Sequence, residues 1–364
     1  MPRKKIDTTT SDYGNNPELA ETIEAFKQEM LTEITRIYGV FKYDKEGENT
    51  NEMPSAIKDD VFNEYPDNAF SEFTKDSEKR TFHNRNHTEK VILRIEALCE
   101  AINNYAKTNN QPEIVISPNI KNILIIAAAA HDLDQSSDVD DIKGKVVTNL
   151  RSYDSGNNEK RSATTVVKKV EEKIKSIIHD SKEAEHLLAI LEAAIIETGP
   201  HPNFANGTVQ QQFDDSKPWQ THLLAYADIG AAGMNPETFI TEGDAFLLEL
   251  HPFVLKAFAK YSAGSSIDEI TKKEVTEKIK AWDLGQIKWV KDREAKFNGP
   301  WTDTIMTPPK EFPADIDLVP PEVKKALQPL FSNFSESARL AEDRQKKRAE
   351  MTFEQLAENL GFRK

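Results

Sequence analysis

Residues 119–134 read NIKNILIIAAAAHDLD, and this stretch decides the fold. Ile120, Leu124, Ala127 and His131 fall 4, 3 and 4 residues apart on one helical face, and the other faces are apolar too. A helix that is hydrophobic all round is a central, buried one. Ala127 to Ala130 are strong helix formers with little bulk, so neighbouring helices can approach closely there. The helix then carries an imidazole and a carboxylate, His131 and Asp132, into the interior. Both are costly to bury unless something neutralises them. A divalent metal would do so. For this pair alone, a core histidine beside a helix-end aspartate is the plainer alternative.

Upstream lies FHNRNHTEKVILRIEALCEAINNY, residues 82–105. His83, His87, Val91, Ile95, Leu98, Ile102 and Tyr105 keep helical spacing, which predicts a helix starting near His83 with both histidines on its buried stripe. Two histidines one turn apart suit a metal site, and they equally suit a polar helix start. Earlier still, Leu19, Ile23, Phe26, Met30, Ile34, Ile37 and Phe41 mark an amphipathic helix from Pro17. Residues 42–60 read as a surface loop, and 61–82 as short helices without clear period.

Downstream, Asp134, Asp138, Asp140 and Asp141 make an acidic stretch. It lacks the order of a calcium loop and reads as a solvated loop, with a wall or lid over the site as the alternative. Glu159, Ala163, Val166, Val170, Ile174 and Ile177 share one face of the next helix, so Glu159 points with the core stripe. A carboxylate there also answers the helix dipole. A further helix, Ser181 to Thr198, is stopped by Gly199-Pro200, and His201 follows. Residues 202–217 read as a polar loop. Thr221, Leu224, Asp228 and Ala231 share a face in the next helix, and an acid so embedded needs a cation or donors.

From Pro236 the pattern stays helical, with aromatic bulk from Phe239, Phe246, Phe253 and Phe258, and Pro252 divides it. Ser266 is the expected cap of a long helix to about Phe297. Residues 298–321 are a proline-rich connector. The charged tail from 335 is helical, with Thr352 and Gln355 as a capping box.

The chain has 364 residues, 38% hydrophobic and 30% charged, which suits a globular protein. A net charge of −14 argues against a nucleic-acid backbone binder or an anionic membrane surface. The single cysteine, Cys99, excludes an internal disulfide and suits a reducing compartment, so the expected location is cytoplasmic. No apolar run follows the opening MPRKK, and Ile123 to Ala130 is too short to span a bilayer, so neither a secretory signal nor a membrane span is expected.

In their order, these pieces resemble the HD superfamily of helical metal proteins. Phe82 to His87 resembles a Tyr-His-Asn-x-x-His signature with Phe in place of Tyr, and Ala130-His131-Asp132 is the name motif. Asn158 to Ala163 resembles an Asn-Glu-x-x-Ser-Ala motif of predicted HD phosphohydrolases, and Thr198 to His201 that branch's Thr-x-x-His segment. Ala227-Asp228 supplies the last acid. The first and last pieces also look like class I cyclic nucleotide phosphodiesterases. The acidic run after Asp132 departs from the family's usual continuation, and no purine-reading glutamine can be placed among Gln210, Gln211, Gln212 and Gln220.

The resemblance implies an all-α HD bundle with a core over 71–235, to which composition and spacing add a disordered 1–16, an N-terminal helical extension over 17–70, a helical continuation over 236–300, and a connector and tail over 301–364. It implies a divalent metal (Mn, Fe, Zn, Co or Mg, with one ion or two left open) on His87, His131, Asp132 and Asp228. The expected activity is metal-dependent hydrolysis of a nucleotide or related phosphoester. His83 would protonate the leaving oxygen and Glu159 would hold a water. His201 would contact phosphate or a second metal, and Arg85 a phosphate oxygen. The implied partner is a small anionic phosphoester, with no nucleic acid and no membrane. The C-terminal extension is the natural place for homo-oligomer contacts. A di-iron oxygenase and a non-catalytic nucleotide sensor are the alternatives on the same fold.

Overall fold

The structure, a computed structural model, describes residues 17–38, 80–135, 137–139, 151–153, 156–203, 208–211, 216–298 and 319–363. The expected disordered terminus, the loop over 42–60, the short helices over 61–79, residues 140–150 of the acidic stretch and most of the proline-rich connector lie outside them.

The architecture is all-α. Its helices are α1 (Pro17–Tyr38), α2 (Arg85–Asn109), α3 (Pro118–Ala130), α4 (Asn157–Ile177), α5 (Ser181–Glu197), α6 (His222–Asp228), α7 (Ala231–Met234), α8 (Pro236–Leu250), α9 (Pro252–Ser262), α10 (Glu269–Asn298), α11 (Pro321–Leu327), α12 (Phe334–Ala349) and α13 (Phe353–Asn359). Two antiparallel ribbons interrupt them, β1 (Ser137–Val139) with β2 (Arg151–Tyr153), and β3 (Pro200–Asn203) with β4 (Thr208–Gln211). Both stand where the sequence reads as loop. Strands this short carry no alternating pattern to reveal them.

Helix α3 is the hub and packs against α1, α2, α4, α5 and α6. Every side chain from Ile123 to Ala130 is buried. Each buried Ile or Leu contributes about 1.5–3 kcal/mol, and the alanines let the surrounding helices close in. Pro112–Ala130 is long and apolar enough to cross a membrane by length and composition, and 61% of that window is buried inside the protein. Ser117 begins α3 by accepting the Ile120 N–H, and Pro118 suits the first turn. Its C-cap is His131.

Helix α2 starts later than its spacing predicts. Asn84 is the N-cap, buried, and its side-chain oxygen accepts from the N–H groups of Asn86 and His87. His83 therefore precedes the helix, and only His87 lies on its stripe with Val91, Ile95, Leu98 and Ile102. A strong cap outweighs a four-residue spacing. Likewise the cap before α10 is Asp268, which accepts the Thr271 N–H at 2.9 Å, rather than Ser266.

The charged tail docks on the body. The capping box of Thr352 and Gln355 is present at α13, whose Phe353 and Leu356 join a second apolar cluster with α9 and α10. Helix α12 is held by buried ion pairs, Arg344 and Arg348 meeting Asp244 of α8 and Asp283 of α10. This brace fixes α8, which reaches back to the site.

Candidate metal centre

Four donors converge where α2, α3 and α6 meet. His87 Nε2 lies 3.1 Å from Asp228 Oδ1 and 3.5 Å from Asp132 Oδ2. His131 Nε2 lies 3.1 Å from Asp132 Oδ2 and 3.6 Å from Asp228 Oδ1. Each imidazole thus stands between the two carboxylates in a ring. Neighbouring donors of an octahedral ion with bonds of about 2.0–2.2 Å stand roughly 3 Å apart. His87, His131 and Asp132 are buried and could hold a metal ion together.

The surroundings aim each donor inward. The His131 Nδ1–H donates to the Ala128 carbonyl at 2.8 Å, which leaves the Nε2 lone pair facing the ring. The Gln135 amide donates to Asp132 Oδ1 at 2.8 Å, and the Gln211 amide to Asp228 Oδ2 at 3.2 Å. Each carboxylate therefore keeps its other oxygen for the ring. Buried His131 Nε2 and Asp132 Oδ2 face each other at 3.1 Å and have no hydrogen-bond partner beyond that contact. Buried polar atoms without partners are expensive, and a cation at their centre would satisfy both. The donor set of two imidazoles and two carboxylates fits a divalent ion.

Charge tells the same story. Burial works against a carboxylate at Asp228 and Asp132, yet the neighbouring histidines outweigh it and hold both below the usual range. Burial also opposes a charged ring at His87 and His131, and the aspartates outweigh it, raising both. The ring draws positive charge to itself.

Around it stand the other predicted residues. His83 Nδ1 meets Glu249 Oε1 at 2.6 Å, while Glu249 Oε2 accepts the N–H groups of Phe82 and His83 at 2.6 and 3.1 Å. This buried carboxylate of α8 pins the His83 ring with its centroid 6.1 Å from that of His87. Glu159 is buried in the first turn of α4, and its Oε2 has no hydrogen-bond partner. Burial pushes its pKa up, and Asp132 adds to that. A Cβ at Gly199 would sit 3.5 Å from the Glu159 side chain, so the Asn-Glu and Thr-x-x-His segments meet in space.

Arg85 is turned elsewhere, and His201 is placed only by its backbone. Arg85 spends its guanidinium on Glu89, one turn further along α2, at 2.7 Å. His201 lies in β3, in register with Gln210, and what its ring touches lies outside the described residues. Arg161 pairs with Asp134 at 2.7 Å, on the half-exposed side of α4.

Sequence reasoning missed Gln135, Gln211, Arg94, Glu242 and Glu249. Arg94 follows His87 by two helical turns on a buried stripe, and that was its signal. Glu242 and Glu249 are seven apart in α8, which the sequence reads only as aromatic core. Comparison with protein-family models, with curated proteins and with solved structures returns no match.

Proposed function

We propose that this chain is an HD-type, metal-dependent phosphohydrolase acting on a nucleotide or a related small phosphoester. The observation that carries the reading is the ring of His87, Asp228, His131 and Asp132, two imidazoles and two carboxylates converging in the interior, with the Glu249-held His83 beside it. The four ring residues would hold a divalent ion, of which Mn, Fe, Zn, Co and Mg all accept such donors. When bound, such an ion lowers the pKa of water and polarises phosphoryl oxygens.

The remaining steps belong to the chain. Glu249 fixes the His83 ring through Nδ1, so proton exchange with a leaving oxygen falls to Nε2. Glu159 offers a buried oxygen to orient a water. The acidic chain, at net charge −14, leaves the ion as the main local attraction for an anionic substrate. The one cysteine, Cys99, is buried and its thiol is pushed up to about 12 by burial, which suits an inert core residue in a reducing, cytoplasmic setting.

The test is elemental analysis of the purified protein followed by a phosphoester panel with Mn²⁺. Hydrolysis that survives in native protein, falls sharply in His83→Ala with metal retained, and vanishes with the metal in Asp132→Ala is expected. Metal without hydrolysis of any ester would overturn the phosphohydrolase reading; two irons with oxygen uptake would replace it by an oxygenase.

A further inference from the structure

Arg94 is buried in α2, two turns beyond His87. Its Nη1 donates to the carbonyls of Ala227 and Asp228, at 3.1 and 3.0 Å. Its Nη2 donates to Glu242 Oε1 at 2.6 Å. Those carbonyls end α6, the short helix that carries Asp228. Carbonyls at a helix end lack intrahelical donors, so a buried guanidinium there fixes the end of the helix and the residue on it. The chain turns sharply just beyond: a Cβ at Gly230 would lie 2.5 Å from the Tyr226 carbonyl. Asp228 thus sits between a tight turn and an arginine clamp.

The other half of the guanidinium works on His87. Glu242 Oε1, held by Arg94, is 3.9 Å from His87 Nδ1 and 3.9 Å from Lys90 Nζ. Nδ1 is buried with no direct hydrogen-bond partner. It borders a cavity of about 90 Å³ that Lys90, Thr241 and Glu242 also line, which leaves room for water to join Nδ1–H to the carboxylate. A carboxylate behind a ligating imidazole sets the ring's tautomer and orientation.

We propose that Arg94 is a positioning residue for the metal centre, setting Asp228 through the end of α6 and His87 through Glu242. This rests on the metal reading of the ring above. A guanidinium can serve both sides because its nitrogens are set apart in a rigid planar fork, a span that the compact ammonium of a lysine does not reproduce.

The experiment is Co²⁺ titration of the metal-free, full-length protein by visible absorption, comparing native, Arg94→Lys, Arg94→Met and Glu242→Gln. Circular dichroism of each metal-free variant is recorded alongside. Both Arg94 variants are expected to bind Co²⁺ about 10- to 100-fold more weakly and with an altered spectrum. Glu242→Gln should show a smaller loss, because the grip on α6 remains. Native affinity and spectrum in Arg94→Lys, with only a lower Tm, would make Arg94 merely structural and overturn the proposal. Should Arg94→Met fail to fold, Arg94→Lys and Glu242→Gln decide it by the same readout. Absence of Co²⁺ binding by the native protein would instead sink the metal reading itself, and the proposal with it.

Discussion

Asp244, Asp283, Arg344 and Arg348 bury charge in a cluster that balances itself. Arg348 meets both oxygens of Asp244 at 2.8 Å, and Arg344 Nε lies 3.0 Å from Asp283. Two cations face two anions, and burial is tolerable because each charge has an opposite within reach. The ring of His87, Asp132, His131 and Asp228 is built differently. Its carboxylates face imidazoles that are cations only when protonated, so with neutral rings two buried negative charges stand unbalanced. One cluster closes a structure; the other asks for a ligand. The contrast separates a buried charge that belongs to stability from one that points to chemistry, though both look alike as charged letters in an apolar run.

The comparison can be broken most forcefully at Arg348. Replacing it by Met leaves two buried aspartates with one arginine between them, and unfolding in urea should show a loss of about 3–5 kcal/mol. Adding Asp244→Leu should return most of that loss; a double variant as unstable as the single one would show that charge balance is not what holds α12. The ring should respond to ions instead. With free Mn²⁺ at 100 times its dissociation constant, native protein should gain about 2.7 kcal/mol over the metal-free form. Asp132→Ala should gain nothing in the same thermal melts.

Two smaller effects sharpen the boundary. Glu249→Gln loosens the hold on His83, so turnover of a phosphoester should fall about tenfold, or about 1.4 kcal/mol, with metal content unchanged. Metal lost along with turnover would move Glu249 into the ligand scaffold. Finally, Thr352→Ala breaks the α13 capping box and should cost about 1 kcal/mol, read as a lower Tm with native Mn²⁺ affinity. It serves as the control for damage remote from the ring.

The α3 hub and the ring donors were legible in the sequence because a buried helix must be apolar on every face, and ionisable residues within such helices stand out. His87, His131 and Asp228 each interrupt an apolar stripe at helical spacing. The supporting residues were harder. Gln211 reaches Asp228 from a ribbon whose strands are too short to show alternation. Glu249 acts on a residue 166 positions away, a pairing that no local pattern encodes. Spacing alone places His83 in the helix, and the capping power of Asn84 overrides it. The partition at residue 235 follows the extent of the family resemblance, while α8, just beyond it, supplies Glu242 and Glu249 to the centre.

The chain distance within the ring has one more consequence. His87 and Asp228 are 141 residues apart, and they meet across 3.1 Å. An ion held by both would act as a removable crosslink closing that long loop, one that chelator could cut without touching a covalent bond. Because the loop must already be closed for the donors to meet, the ion should slow unfolding far more than it speeds folding. The lifetime of the folded chain would then be set by how long the ion stays.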